Sequence, residues 1–167
     1  MLRTNQDLDP ARLREVFGIY PSGVVAVAAL VGGVPVGLAA SSFTSVSLDP
    51  PLVSFSIANA SKTWPDLRRS PQLGVTILAE QHAGAARQLA GAVERRFNGL
   101  AWTASADGAL TLDDGLAQFD TTVYDEVPAG DHTIILLQLQ AVRRTELDEP
   151  SPLVFHRSGF SRLRFGE

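Results

Sequence analysis

The residues of this chain best suited to chemistry are clustered hydroxyls and isolated cations. Ser41, Ser42, Thr44, Ser45 and Ser47 crowd into one short stretch between the apolar runs Val34–Ala39 and Leu52–Ile57. Phe43 and Val46 lie among them, and the stretch closes with Asp49-Pro50-Pro51. Two prolines remove two N–H donors and fix two φ angles, so this segment belongs at a sheet margin and not inside a ladder. A stiff margin rich in hydroxyls and outward-facing amides suits a planar ligand with polar edges.

Ser61-Lys62-Thr63 opens a predicted short helix, where unpaired amides and the helix dipole favour an anion. Lys62 is the only lysine among the 14 basic residues. The competing reading is an ordinary N-cap beside a solvated lysine. Arg95 and Arg96 precede Phe97 and could clamp the same anion through a guanidinium fork, or form a charge pair facing solvent. In Gly130-Asp131-His132 the glycine permits an unusual φ that projects His132 over a rim, against a purely structural histidine. His156 and Arg157 close the last strand, facing either a ligand or water. His82 falls on an alanine-rich helix and is expected to be exposed. The three histidines have no metal-ligand spacing, so no metal is expected. No G-x-S-x-G, P-loop or G-x-G-x-x-G pattern occurs, so any nicotinamide binds without a Rossmann unit.

The elements that must position these groups are mostly strands. Asp9-Pro10 starts an amphipathic helix carrying Leu13, Val16 and Phe17 and ending near Gly18. Val24–Val31 and Val34–Ala40 form a hairpin about Gly32-Gly33. Leu52–Ala58 alternates as a half-buried strand does, and Leu73–Leu78 is a further strand. Gln81–Ala90 reads as helix, Val93–Gly99 as a charged connection and Trp102–Leu112 as irregular. Gln118–Val127 and Thr133–Val142 are strands flanking the turn Pro128–Asp131, and Leu153–Phe155 opens a short last one. Hairpin-linked strands with few short helices predict an antiparallel barrel with the helices outside.

At 167 residues and 45% hydrophobic content one domain spanning 1–167 is expected, with room for a sizeable core. A net charge of −4 argues against a nucleic-acid partner. No apolar run reaches membrane-spanning length, and the first residues lack a secretion pattern. Together with the absence of cysteine, this predicts a cytoplasmic protein.

These residues carry a resemblance. Pro21-Ser22-Gly23-Val24, the run Gly37–Leu52, Ser61-Lys62-Thr63, Arg95-Arg96-Phe97-Asn98-Gly99, Gly130-Asp131-His132 and the ending Pro152–Phe160 occur in an order that resembles the flavin reductase family. Its members are FMN-binding split-barrel proteins that supply reduced flavin to partner monooxygenases. The resemblance implies a mainly β fold: an antiparallel six-stranded split β-barrel of Greek-key type with short peripheral helices, forming a homodimer. It implies FMN or FAD as cofactor, NADH or NADPH as reductant, and a flavin-dependent monooxygenase as partner. Residues 41–47 would hold the isoalloxazine through backbone groups, Ser61, Lys62 and Thr63 the phosphate, with Arg95, Arg96 and Phe97 beside it. Gly130, Asp131 and His132 would meet the nicotinamide, His132 orienting it, and His156 and Phe160 would complete the substrate side. Phe155 and Phe160 stand where relatives often carry tyrosine, and Ala40-Ser41 where many have Ala-Asn. The rival readings are a tightly flavin-bound oxidoreductase of another substrate and a non-catalytic flavin- or haem-binding barrel.

Overall fold

The computed structural model describes residues 8–146 and 148–164. Twelve strands account for about half of it. The first six are β1 (Ser22–Gly23), β2 (Val25–Val31), β3 (Val34–Ala40), β4 (Thr44–Leu48), β5 (Pro51–Ala58) and β6 (Leu73–Ile77). The rest are β7 (Trp102–Ala104), β8 (Leu110–Leu112), β9 (Ala117–Ala129), β10 (His132–Arg144), β11 (Leu153–His156) and β12 (Gly159–Arg162). Of three short α-helices, α1 (Pro10–Phe17) precedes β1, and α2 (Trp64–Leu67) and α3 (Ala83–Leu89) lie between strands. Asp9 caps α1 by accepting from the Ala11 and Arg12 amides, with Pro10 in the first turn, as the sequence predicts.

The main sheet is antiparallel, in the order β3-β2-β6-β9-β10-β5-β4. It has seven strands where six were expected. The difference arises at Thr44–Leu48: its amides pair with β5 as an edge strand, so the hydroxyl-rich stretch is only partly a loop. β3 and β4 are adjacent in sequence yet occupy opposite edges of the sheet, joined by Ser41–Phe43. Trp102–Leu112, read as irregular, forms the hairpin β7–β8, and the closing segment forms the hairpin β11–β12. Among the described residues no helix is long and apolar enough to cross a membrane.

β2 is a wall between two cores, which explains why its sequence is apolar throughout and does not alternate. Val25, Val27 and Ala29 face one cluster with Val53, Phe55, Ile135 and Leu137. Val24 and Ala26 enter a second, with Leu78, Ala86, Leu89, Leu112 and Leu153. β5 is likewise buried on both faces from Leu52 to Phe55, so Ser54 lies inside and does not belong to a solvent face. The second core anchors α3 against β2 and β3; truncating its fully buried Leu89 to alanine would cost about 2–5 kcal/mol.

His82 departs from expectation. Residues Glu80–His82 form a 3-10 turn ahead of α3, which folds the ring inward until it is 6% exposed. Its Nδ1 accepts from the Ala79 amide at 2.9 Å. Nε2 lies 3.0 Å from Asp114 Oδ1, without the alignment of a hydrogen bond. Its role is to fasten the start of α3.

Candidate functional site

A groove runs between α3 and the margin formed by β3, the Ser41–Phe43 crossing and β5. One half is polar, about 430 Å³, with Ala40, Ser41 and Ser42 on one side, Ser56, Ile57 and Ala58 of β5 below, and Ser61, Thr63, Arg96 and His132 around its end. The other half is smaller, about 150 Å³, and apolar, walled by Val24, Ala86, Phe155 and Phe160. Ala39, Ala40, Ser41 and Ala90 line both halves, so the two are continuous.

The cationic end is built around Arg96. Its Nε donates to Gly91 O at 3.0 Å, and its Nη1 to Gly37 O and Thr63 Oγ1, both at 2.9 Å. Nη2 makes no hydrogen bond among the described residues. Gln88 holds the loop beneath, its Nε2 reaching Arg95 O at 2.9 Å, Arg96 O at 3.2 Å and Asn98 O at 2.8 Å. Two amide hydrogens serve three carbonyls, so one bond is shared. Gly37 makes this closure possible: a Cβ there would stand 2.8 Å from Phe97 Cζ and 2.7 Å from Val27 O. Any side chain would push Phe97 away and draw Arg96 with it.

Two hydroxyls complete that end. Ser61 Oγ accepts from the Thr63 and Trp64 amides, each at 3.3 Å, and Thr63 Oγ1 accepts from Arg96. Each thereby keeps its own hydrogen for a ligand. A guanidinium nitrogen and two hydroxyl donors around one small space could hold an anion.

The rim behaves differently. Ser42 Oγ accepts from Ser56 N at 2.9 Å and donates to Ser56 O at 3.2 Å. Its hydrogen is used in fastening the crossing to β5, so towards a ligand it can only accept. Among the described residues the main-chain N–H groups of Ser41, Ser42 and Phe43 make no hydrogen bond. Three consecutive unpaired donors at a groove margin match acceptors along the edge of a flat ring.

His132 stands at the start of β10. Gly130 adopts φ +69° in the turn before it, and Asn59 ties that turn to the end of β5 by donating Nδ2–H to Gly130 O and its amide to Asp131 O. His132 Nδ1 lies 2.8 Å from Asp131 Oδ1. The hydrogen bond from His132, followed by its charge, holds the Asp131 carboxyl below the usual carboxylate range.

Of the candidates read from the sequence, Ser41, Ser42, Ser61, Thr63, Arg96, His132 and Phe160 meet on the groove. Lys62 and Arg95 are exposed and lie outside its lining. Phe43 stacks on Phe119 at 6.3 Å, turned to the core, and Phe97 packs into the second core. Thr44, Ser45, Val46 and Ser47 run along the edge strand, and His156 is half-buried in β11 without lining either half. Gly130 and Asp131 serve the groove through His132. The sequence reading missed Ser56, Ala58, Ala86 and Ala90. Their signal was smallness: a serine-interleaved strand and an alanine-rich helix leave a slot where larger side chains would fill it.

The chain is similar to known proteins over most of its length. The family described as flavin reductase like domain matches residues 17–164. A flavin reductase of Pseudomonas putida is 37% identical, over 92% of this chain and 89% of its own. Nitrilotriacetate monooxygenase component B from Mycobacterium thermoresistibile superposes with a TM-score of 0.89 at 30% identity, covering 94% of this chain and 88% of that one. The NADH:FAD oxidoreductase of Streptomyces globisporus C-1027, solved with NAD and FAD fragments, gives 0.85 at 30% identity, over 96% and 98% of the two chains.

Proposed function

The chain belongs to the flavin reductase-like family and is an NAD(P)H-dependent flavin reductase that supplies reduced flavin to a monooxygenase; we propose that the groove beside α3 is where it holds the flavin. The residues fit such a guest. Arg96 Nη2, Ser61 and Thr63 offer donors to its phosphate, the 41–43 amides to the polar ring edge, and Val24, Ala86, Phe155 and Phe160 an apolar wall. Bound flavin and reduced nicotinamide supply the chemistry themselves, a hydride passing from one ring to the other. What this chain contributes is position. It must keep the two rings within a near-attack separation of about 3–3.5 Å and shield them from water.

His132 has the place and a free ring nitrogen to orient the nicotinamide. Asp131 occupies Nδ1, and Nε2 has no partner among the described residues. No acid–base dyad is needed for hydride transfer. The sheet is read as a split barrel, its split lying between the edges β3 and β4. Val46 and Leu48, 48% and 95% exposed on β4, support pairing of two copies along this margin, next to the flavin site. A cysteine-free chain suits the reducing cytoplasm.

The observation that carries the groove assignment is the half-committed Arg96 guanidinium at the end of a slot walled by small residues. Anaerobic stopped-flow mixing with FMN or FAD and NADH or NADPH tests the activity: the flavin absorbance should bleach within the turnover time for at least one pairing. No bleaching in any of the four would overturn it. Sedimentation velocity tests the dimer, with Leu48→Asp expected to shift it to monomer.

A further inference from the structure

Beyond the apolar end of the groove lies a second hollow, about 710 Å³, whose lining reverses the sign of the chain. Arg87, Arg162 and Arg164 face it with a single carboxylate, Glu80, in a protein of net charge −4. Phe160 lines both this basin and the apolar half of the groove. α3 runs past all of it: Ala83 and Arg87 line the basin, Ala86 and Ala90 the apolar half, Leu89 and Ala90 the polar half.

The basin's cations are held without being consumed. The Arg87 guanidinium sits 5.0 Å above the Phe160 ring centroid, which fixes it by its face and leaves its N–H edge without a partner among the described residues. Arg162 Nη1 is 3.6 Å from Glu80 Oε2, beyond hydrogen-bond distance, with both side chains partly exposed. Guanidinium edges presented together match the oxygens of phosphate esters.

We propose that this basin receives the pyrophosphate of the nicotinamide dinucleotide, with Arg87 and Arg162 as its binding residues. This rests on the groove being the flavin site. With the flavin's phosphate at Arg96, a pyrophosphate extending from it leaves by that end, so the ligand that reaches across Phe160 to the opposite end is the other dinucleotide. Its ring lies in the groove and its phosphates in the basin.

The test compares two reductants on the full-length protein: NADH, and 1-benzyl-1,4-dihydronicotinamide, which carries the same ring without phosphates. In Arg87→Gln/Arg162→Gln the ratio of kcat/KM for NADH to that for the benzyl compound should fall at least tenfold. The Kd for FMN, read by fluorescence quenching, should stay within twofold. Raising salt from 50 to 200 mM should raise the NADH KM of the wild type and much less that of the variant. Arg162→Lys alone, at an exposed position, guards against misfolding and should lower the ratio partway.

An unchanged ratio overturns the proposal. So does weaker FAD binding with an unchanged ratio, because the basin would then hold the flavin's own adenylate. Failure of the wild type to reduce flavin with either reductant would instead sink the underlying flavin assignment.

Discussion

Two polar hollows, each with an arginine, show how similar chemistry serves opposite ends. In the groove, Arg96 gives Nε and Nη1 to fixed oxygens and keeps Nη2. In the hollow beside β7 and β8, about 370 Å³, Arg143 gives both terminal nitrogens to Asp120, at 2.9 and 2.7 Å. That bidentate pair pushes the Arg143 guanidinium further above its ordinary range. The neighbours follow suit. Gln118 Nε2 donates to Leu112 O and Asp113 O, and Thr103 Oγ1 donates to Asp113 Oδ1. A guanidinium neutralised by a carboxylate staples a sheet together, while one held only by neutral oxygens beside a slot keeps its charge for a guest. The partner of each guanidinium, a carboxylate in one case and only neutral oxygens in the other, distinguishes these hollows where their volume and polarity do not.

The largest expected effect is on Arg96. Arg96→Ala should weaken FMN by at least tenfold and riboflavin, which lacks the phosphate, by less than threefold, measured by equilibrium fluorescence titration. A charged hydrogen bond contributes about 1.5–3 kcal/mol, enough for that factor. Gly37→Ala should reproduce most of this loss with the guanidinium still present, since the added methyl displaces Phe97 and the segment that carries Arg96.

Arg143→Met should do the reverse. It leaves FMN affinity unchanged and lowers stability by about 1–3 kcal/mol, because Asp120, 8% exposed, loses its partner; a denaturant melt beside the same titration separates the outcomes. Were FMN weakened here as in Arg96→Ala, the contrast between the two hollows would fail.

Lys62→Ala should have a smaller effect, twofold to threefold on FMN, since the side chain is exposed and outside the lining. Smallest is Asp131→Asn. It should raise the NADH KM a few-fold by loosening His132, with kcat nearly unchanged. Because the folded-state pKa of Asp131 is lowered, its stabilising contribution is present above the ordinary carboxylate value of 3.8 and is lost as pH falls through the lower one. The melting difference between wild type and Asp131→Asn should therefore close only under strongly acidic conditions.

Much of this was legible in the sequence, for identifiable reasons. Hairpin turns, the capped α1 and the apolar runs are local signals, and they placed β2, β3, β5, β6, β9 and β10. Ser61, Thr63 and Arg96 could be singled out because anion sites draw on few residue types, and the structure brings the three together at one end of the groove. Lys62 stood out by the rarity of its type and lies outside the groove lining, whereas Arg96 owes its place to Gly37 and Gln88, contacts that no local pattern encodes. β4 escaped because its hydroxyls resemble a loop until β5 supplies the ladder. His82 was misread because a 3-10 turn and an α-helical turn look alike in an alanine-rich segment.

The crossing at Ser41–Phe43 has a consequence for lifetime. It joins the two outermost members of a seven-membered ladder, so the slot exists only while every intervening strand is in register. A guest gripped there is coupled to global unfolding and not to local fraying. Flavin should therefore protect distant β9 amides from deuterium exchange, and cells short of the vitamin should clear this polypeptide faster.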